Sequence, residues 1–399
     1  MKVLLVHNFY GSGVPSGENK IFEAEKNLLE SKGHSVRVFI RHSDEIRAQG
    51  FWGMLLGALS TPWNPWSAYR LRGLIKQFKP DVVHVHNTFP LISPAIFSTI
   101  GIGAATILTL HNYRLFCPAA IPMRAGKVCT ECLDQKSAWP SIKHGCYRNS
   151  RIATVPLALS VELHRRLNTW KNHVDAFIAL SEFQSWAMAG AGLDPTCIHV
   201  KPNFYSGNPD VLPWHQRADS VLFVGRLTPE KGVANLVRAW RIWGESAPQL
   251  RIVGDGPLRS ELQKMAAGLP ITFVGHVQNL QAQEEIARAK LMVLPSEWFE
   301  GFPMVIGEAF AFGTPVAVSD IGPLPAIVQN GLNGFSFQVG NADSLFVEVK
   351  RAWEEPRYLA KLGHGARAEF EAKYTEEANY KMLMDIYGKA IAANRTKAA

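Results

Sequence analysis

Two acidic residues eight positions apart, Glu300 and Glu308, lie in a segment that combines an apolar run, a loop and a helix-forming stretch. The residues after Pro303 are predicted to form a helix that is apolar almost all round, yet this helix contains Glu308. A buried carboxylate needs hydrogen-bonding partners, and the start of a helix offers free N–H groups to an anion. The pattern favours a ligand with a phosphate and hydroxyl groups. The alternative is that Glu308 pairs with a buried cation and that Glu300 is a solvated loop residue.

Two basic residues, Arg226 and Lys231, follow the apolar run Ser220–Val224 in a short loop. Arginine offers planar donors and lysine a point charge, so the two together suit a pyrophosphate. Structural ion pairs with Glu230 or Asp255 are the alternative. The chain contains no Asp-x-Asp sequence, so a metal-bridged diphosphate is not indicated, and the two cations and the helix N–H groups would have to neutralise the leaving group.

A histidine, His111, follows the apolar run Thr106–Leu110, and His86 lies at the end of an earlier run. Because ligands bind at the carboxyl ends of the strands in parallel α/β sheets, we expect His111 to be functional. The alternative is a structural histidine that bonds a loop carbonyl. A Gly-rich loop at Asn8–Glu18 either lets a ligand approach the backbone or only makes turns.

Four of the five cysteines follow the spacing C-x11-C-x2-C-x13-C, at Cys117, Cys129, Cys132 and Cys146. A C-x2-C pair with two outlying cysteines suits a tetrahedral structural zinc site. The surrounding segment is rich in proline, glycine and charge, so it would gain stability from a metal. Free thiols and disulfides are the alternatives, and we expect no role in chemistry.

The elements that must position these residues are parallel strands, and their pattern occurs twice. A strand, a Gly-containing loop and a helix are predicted from Lys2 onward and again from Ser220 onward. The length of 399 residues suits two to three domains, and residues 204–217, rich in proline, glycine, asparagine and tryptophan, form the predicted linker. The predicted parts are an α/β domain 1–205 with a Cys-rich insert 112–150, a second α/β domain 206–375, and a final helix 376–399.

Net charge and hydropathy limit which binding partners and which cellular compartment we expect. The net charge is +8, from 42 basic and 34 acidic residues, but we find neither a basic run nor a nucleic-acid motif, so no nucleic acid is expected. No stretch reaches the roughly 18 apolar residues that a membrane span needs, and the first apolar run is too short for a signal peptide. We expect a cytoplasmic protein with reduced cysteines.

The stretch Phe51–Phe78 combines aromatic and aliphatic residues with Arg70, Arg72 and Lys76. Such a combination suits the edge of an anionic membrane, which would place the protein peripherally on the inner face of the membrane. It also suits an acceptor cleft or plain helix packing. We favour packing into the core.

Four motifs together resemble glycosyltransferase family 4, the retaining group 1 glycosyl transferases of the GT-B fold. The motifs are Gly225-Arg226-Leu227-x-x-Glu230-Lys231-Gly232, Gly254-Asp255-Gly256-Pro257, Phe273-Val274-Gly275-His276-Val277 and Glu300-Gly301-Phe302-Pro303-x4-Glu308-Ala309. The resemblance implies two Rossmann-like domains facing a cleft, with the final helix crossing back onto the first. It implies transfer of a sugar, with retention, from a UDP- or GDP-sugar to a glycan or lipid-linked acceptor, with no cofactor required for catalysis.

The resemblance also implies roles for individual residues. Arg226 and Lys231 would bind the diphosphate and stabilise the departing phosphate, and Glu308 would hold the ribose hydroxyls. His111 would face the sugar near the reacting carbon, and Val277 would lie by the nucleobase. The implied catalytic residues are His111, Glu300, Arg226 and Lys231. The other implied donor-binding residues are Gly13 and Gly17 of the first loop, Val277, Gly301, Phe302, Pro303, Met304 and Glu308.

Two positions depart from the family. Ser16-Gly17 stands where a Gly-Gly pair is common, and the loop Ile321–Pro325 lacks an acidic residue that often occurs there. The alternative functions are a nucleotide-sugar epimerase on the same fold and a non-catalytic nucleotide-sugar-binding protein, with RNA binding a more distant fourth.

Overall fold

The computed structural model describes residues 1–11, 16–101 and 103–398, and the chain divides into two compact units. The first unit consists of Met1–Pro122, Cys129–Pro202 and Asn379–Ala399, and the second of Met123–Val128 and Asn203–Ala378. Each unit contains one six-stranded parallel sheet flanked by helices, which confirms the prediction of two Rossmann-like domains.

The strands up to residue 202 form one sheet and one small hairpin. They are β1 (Lys2–Phe9), β2 (Ser35–His42), β3 (Val82–Asn87), β4 (Ala105–Leu110), β5 (Met123–Arg124), β6 (Lys127–Val128), β7 (Ala176–Ala179) and β8 (Ile198–Val200). The sheet has the order β2-β1-β3-β4-β7-β8, and every neighbouring pair in it is parallel. Strands β3 and β4 are buried along their whole length, because helices cover both faces of such a sheet.

The helices of this part of the chain connect and cover the strands. They are α1 (Gly17–Ser31), α2 (Asp44–Ala48), α3 (Gly50–Ser60), α4 (Pro65–Phe78), α5 (Glu131–Asp134), α6 (Trp139–His144), α7 (Arg151–Arg166), α8 (Thr169–His173) and α9 (Glu182–Ala191). Ser16 caps α1 by accepting a hydrogen bond from the N–H of Asn19, and α1 packs the fully buried Phe22 and Leu29 into the core against β1.

The second sheet is built from strands that also run parallel throughout. They are β9 (Ala218–Val224), β10 (Gln249–Val253), β11 (Ile271–Gly275), β12 (Ala289–Leu294), β13 (Val316–Ser319) and β14 (Gly334–Phe337). Their order is β11-β10-β9-β12-β13-β14. The order in which the strands are added to the sheet reverses between β9 and β12. Ligands of doubly wound sheets bind outside the carboxyl ends of the strands at such a point.

The remaining helices cover the second sheet, except for the last. They are α10 (Val233–Trp243), α11 (Arg259–Met265), α12 (Asn279–Arg288), α13 (Met304–Ala311), α14 (Leu324–Ile327), α15 (Ala342–Trp353), α16 (Pro356–Lys373) and α17 (Glu376–Ala398). Helix α17 contributes Leu383, Ile386, Tyr387 and Ala390 to the core of the first unit, where they pack with Val3 and other residues of the sheet.

Although α4 buries Ala68, Leu71 and Phe78, the core-packing interpretation of Phe51–Phe78 is wrong for helix α3. Its large apolar side chains, including Phe51, Trp52 and Leu56, are mostly exposed to solvent, while its buried residues are Gly53 and Gly57. A Cβ atom at Gly53 would lie 2.2 Å from the carbonyl oxygen of Ile46. The helix therefore packs through its glycine face, because only that face allows a close approach to α2, and its bulky residues remain outside. Within the described part of the chain, no helix is both long and apolar enough to cross a membrane.

Candidate functional site

The loop that follows β9 carries Arg226 at the carboxyl edge of the second sheet. The N–H of Gly225 donates to the carbonyl of Val253 and the N–H of Leu227 to that of Asp255, which ties this loop to the end of β10. The guanidinium of Arg226 lies 3.4 Å from Glu230, and its side chain is half exposed. The ion pair considered from the sequence is thus present, and it leaves much of the guanidinium open to solvent.

Lys231, in the same loop, is paired with Glu300 from the loop after β12. Lys231 Nζ donates a hydrogen bond of 2.6 Å to Glu300 Oε1, and Ser296 Oγ donates one of 2.7 Å to the same oxygen. The two charged side chains are only 16% and 6% exposed, and Lys231 Nζ lies 5.5 Å from the centre of the Trp298 ring. Two of the predicted site residues therefore contact each other directly, and the partner of Lys231 is neither carboxylate considered from the sequence.

Gly232 explains how closely these two loops approach each other. Its φ is +65°, and a Cβ atom there would lie 1.8 Å from the carbonyl oxygen of Pro295. The N–H of Glu297 also donates to the carbonyl of Glu230 over 2.9 Å. The loops after β9 and β12 are therefore joined backbone to backbone, which fixes Lys231 and Glu300 relative to each other.

Helix α13 begins at Met304 with Pro303 in the N-cap position, and no described side chain caps it. The first N–H groups of a helix have no partner within the helix, so this end can bind an anion. Glu308 lies one turn further along and is 8% exposed. Burial, and then the charge of Glu308, raises the pKa of the Tyr205 phenol. Gly301 and Phe302 are buried in the loop before the helix.

The ends of β10 and β11 complete the same edge. A Cβ atom at Gly254, where φ is +133°, would lie 1.9 Å from the carbonyl oxygen of Gly225, and the N–H of Gly254 donates to the carbonyl of Gly275 over 2.8 Å. Val277 follows the end of β11 by two residues and is half-buried. All the predicted donor-binding residues of the second unit thus lie at one sheet edge.

In the first unit, His111 directly follows β4, as the sequence analysis predicts. Its Nε2 lies 3.0 Å from Nδ1 of His86, and the two rings are stacked. Both residues border a cavity whose polar wall also includes Asn112 and Arg114. Burial, and then the charges of the neighbouring histidines, hold the pKa of His111 well below its ordinary value. The imidazole is therefore neutral near pH 7.

A group of buried charged residues next to His86 was not predicted. Glu25 on α1 is 1% exposed; its Oε2 lies 3.1 Å from Lys201 Nζ, and its Oε1 lies 3.0 Å from His84 Nδ1 and 3.2 Å from His86 Nε2. Glu25 shares the buried helix face with Ile21, Leu28 and Leu29. The sequence feature that could have predicted this group is an acidic residue at a core position of an amphipathic helix.

This group is not an obvious metal site. Among the described residues, Glu25, His84 and His86 are the one trio whose potential ligand atoms all lie within 4.8 Å of one another. The ammonium group of Lys201 already compensates the carboxylate, and a divalent cation would meet that fixed positive charge at short range.

The predicted Gly loop is described only in part. Gly17 is exposed at the first position of α1, whereas Gly13 lies outside the described residues. Next to this loop, the side-chain amide of Asn112 donates to Glu18 Oε1 over 2.8 Å. Burial raises the pKa of Glu18.

The four cysteines of the predicted zinc site lie within the first unit, and none of them forms a disulfide bond. Burial, together with the charges of the neighbouring cysteine thiolates, raises the pKa of Cys117 to about 11 and that of Cys132 to about 12. These four thiols therefore interact electrostatically, although no three of their sulfur atoms all lie within 4.8 Å of one another.

Two protein-family models together match most of the chain. Residues 208–369 match the family described as glycosyl transferases group 1, and residues 24–206 match glycosyltransferase family 4. A sulfoquinovosyl transferase, SQD2 of Arabidopsis thaliana, is 24% identical over 335 residues, which cover 81% of this chain and 59% of the plant protein. The chain thus matches less than two thirds of the length of that relative.

Two solved structures share the fold at low sequence identity. Sucrose-phosphate synthase from Thermosynechococcus elongatus superposes with a TM-score of 0.70 at 17% identity, over 98% of this chain and 99% of that one. HepE of Anabaena, solved in complex with UDP-glucose, gives a TM-score of 0.61 at 17% identity, over 97% and 100% of the two chains. With the two family matches adjoining each other along the sequence, the chain belongs to the group 1 glycosyl transferases of glycosyltransferase family 4.

Proposed function

We propose that the protein transfers a sugar, with retention of the anomeric configuration, from a UDP- or GDP-sugar to a glycan or lipid-linked acceptor. The observation that supports this most is the buried Lys231–Glu300 pair at the point where the strand order of the second sheet reverses. Arg226 and the uncapped start of α13 lie at the same edge. Two cations and free N–H groups form a site for an anionic ligand such as a diphosphate.

In the proposed reaction, the bond between the anomeric carbon and the phosphate oxygen breaks, and its electron pair remains on the phosphate. The acceptor hydroxyl forms the new bond to the carbon, and its proton leaves with the phosphate. Arg226 and Lys231 stabilise the negative charge that develops on the phosphate, and Glu300 holds Lys231 in place. Such preorganised charges are usually the largest single catalytic contribution, and the proposal needs no metal ion.

The other residues of the second unit hold the rest of the donor. Glu308 accepts hydrogen bonds from the ribose hydroxyls, and Val277 lies against the nucleobase. The backbone of Gly301–Met304 holds the donor sugar and a phosphate. In the first unit, the family resemblance assigns His111 to the sugar, and Gly13 and Gly17 to the diphosphate.

The test is transfer of a labelled sugar from UDP- and GDP-sugars to lipid and glycan extracts, followed by determination of the anomeric configuration of the product. We expect one nucleotide family to support transfer, with the donor's configuration kept. Isomerised donor or free nucleotide without acceptor product would indicate an epimerase instead. Tight donor binding without any turnover would indicate a non-catalytic protein.

We also propose that α3 and α4 rest on an anionic membrane surface. Phe51, Trp52 and Leu56 of α3 are exposed, and exposed Arg70 and Arg72 follow on α4; apolar residues flanked by cations bind the interface of anionic lipids. The test is sedimentation with vesicles of phosphatidylglycerol and phosphatidylcholine at low salt. Trp52→Glu is expected to reduce binding, whereas Trp186→Glu on α9, whose side chain is also exposed, is the matched control. Failure of the unmodified protein to bind would refute the proposal.

For the Cys-rich insert, we propose a structural zinc ion held by the four cysteines. Zinc binding requires thiolates, and the raised pKa values of Cys117 and Cys132 mean that binding must release protons and weaken at lower pH. Metal analysis of the purified protein is expected to find about one zinc per chain, and a Cys129→Ser, Cys132→Ser double variant is expected to lose it. An unmodified chain without zinc would contradict the proposal.

A further inference from the structure

A line of close contacts leads from a buried ion pair to His111. It begins at Lys201 Nζ, 3.1 Å from Glu25 Oε2, and continues from Glu25 Oε1 to His86 Nε2 over 3.2 Å. It ends with the 3.0 Å contact between His86 Nδ1 and His111 Nε2. Lys201, Glu25 and His86 are almost completely buried, so water does not screen these contacts.

The order of the atoms along this line determines which ring nitrogens carry protons. Glu25 Oε1 is not aligned with either neighbouring ring as a hydrogen bond among the described residues, so it acts electrostatically, and its negative charge favours an N–H over a lone pair at His86 Nε2. A neutral imidazole has one N–H. His86 Nδ1 then carries a lone pair, which accepts a hydrogen bond from the N–H at His111 Nε2.

Burial keeps His84 and His7 neutral near pH 7. Lys201 balances the charge of Glu25 and also lies 3.2 Å from Asn379 Oδ1. Burial, the largest cause in each case, lowers the pKa of His84 to about 4 and that of His7 to about 3. A second proton on His84 or His111 would add a positive charge in a region that already contains the charge of Lys201.

We propose that Glu25 is a positioning residue that acts through His86 and fixes His111 as the tautomer with the proton on Nε2. The remaining nitrogen of His111, Nδ1, is then a hydrogen-bond acceptor, available to a ligand hydroxyl at the cavity that His111 borders. The tautomer follows from the first unit alone. Its use, to accept a hydrogen bond from a sugar hydroxyl, rests on the proposed function.

The first test needs no substitution. The chain has 13 histidines, and nitrogen NMR of the 15N-histidine-labelled protein distinguishes protonated from unprotonated ring nitrogens; a His111→Asn variant identifies the resonances of His111. At pH 7 we expect His111 to be neutral with its proton on Nε2. A proton on Nδ1, or a charged ring, would overturn the proposal. Because the measurement requires no donor or acceptor, it can fail while the proposed function stands.

The second test is Glu25→Gln, which keeps the shape of the side chain. It is expected to exchange the donor and acceptor roles of the ring nitrogens between residue 25 and His111. Lys201 can only donate, so the amide oxygen of the new residue must face Lys201, and the NH₂ group must face His84 and His86. His86 then accepts at Nε2 and donates from Nδ1, and the proton of His111 moves to Nδ1. An unchanged His111 tautomer in a folded Glu25→Gln protein would contradict the proposal.

Glu25→Gln leaves the ammonium of Lys201 buried without its counter-charge, and this variant is at risk of not folding. A double variant, Glu25→Gln with Lys201→Met, removes both charges together and is expected to leave His111 as a mixture of tautomers. A single Nε2–H tautomer in the double variant would also overturn the proposal. Glu162→Gln is the matched control, because Glu162 is a buried carboxylate of the same unit that bonds Ala138 and Arg165 instead; it should leave His111 unchanged.

Discussion

Arg226 and Lys231 lie on one loop but are held in different ways. Arg226 is half exposed and pairs with Glu230 of its own loop, and exposed ion pairs of this kind contribute little to stability. Lys231 is largely buried on Glu300, so its removal would also leave a buried carboxylate without its partner. Arg226 is therefore the cleaner probe of catalysis.

We predict that Arg226→Ala lowers the rate of sugar transfer by about 10²–10³-fold, because it removes one fixed charge from the departing phosphate. The urea-unfolding midpoint should stay within error of the original protein. The matched control is Arg351→Ala, which removes an exposed arginine of the same unit that pairs with Glu348 on its own helix. Transfer at the original rate by the Arg226 variant would show that this side chain does not act on the phosphate.

For single residues, the sequence predicted which side chains belong to the site but not which of them bond each other. Glu300 and Lys231 were both predicted as site residues, but the spacing of 69 positions between them gave no sign that they bond each other. Likewise, nothing in the local pattern connects Glu25 to Lys201, which is 176 positions away. Such pairs arise from the order of strands in the sheets, which single motifs do not contain.

At the scale of elements, the site depends on two loops that can touch only because Gly232 has no side chain. A Cβ atom there would overlap the carbonyl oxygen of Pro295. Gly340 has a similar φ, +69°, with no atom within 4 Å of its missing Cβ. The two glycines therefore separate the cost of a left-handed backbone from the cost of a steric clash.

Gly340→Ala is expected to lower the free energy of unfolding by about 1–2 kcal/mol, the cost of a left-handed conformation. Gly232→Ala should lose a further 1–3 kcal/mol or so by overpacking, and should weaken donor binding because Lys231 and Glu300 move apart. Urea unfolding and donor titration measure the two effects. Equal losses from both substitutions would mean that the loops can separate without cost.

Helix α3 is the element that sequence reasoning placed wrongly. A helix that is apolar all round has no polar face to indicate which side is outside, so its hydrophobicity suggested burial. The packing side was set instead by Gly53 and Gly57, whose missing side chains permit contact with Ile46. By contrast, helix α13 begins at Met304, directly after Pro303, as predicted.

At the scale of the whole molecule, buried histidines should make stability depend on pH. The pKa of His84 is lowered to about 4 and that of His7 to about 3 by burial. Between these values and the ordinary value of about 6.5, the unfolded chain binds protons that the folded chain does not. The stability that comes from keeping these two histidines neutral is therefore fully present above pH 6.5, and it is lost as the pH drops toward 4.

We predict that the free energy of unfolding in urea falls between pH 6.5 and pH 5 by up to about 1.4 kcal/mol per pH unit for each of these two histidines. His84→Gln should flatten this dependence, and replacement of the exposed His276 by Gln should leave it unchanged. Equal stability of the original protein at pH 7 and pH 5 would contradict the prediction.

The repeated strand, Gly loop and helix pattern was sufficient to predict two Rossmann-like units, because each repeat is a local signal. The contribution of α17 to the core of the first unit was implied only by family resemblance. Tyr387 of this helix lies 2.9 Å from His84, a separation of 303 positions along the chain. Periodicity shows that a helix has an apolar face but does not show which sheet that face will cover.

The most direct test of the account is thermal unfolding with UDP, GDP and ADP and their sugar conjugates, on the original protein and on Glu308→Ala. A ligand at 100 times its Kd stabilises by about 2.7 kcal/mol, which corresponds to a shift of roughly 5–10 °C for a unit of this size. We predict that one nucleotide family gives this shift with the original protein and little or none with Glu308→Ala. Absence of a shift with every nucleotide, or an equal shift in both proteins, would contradict the proposed donor site.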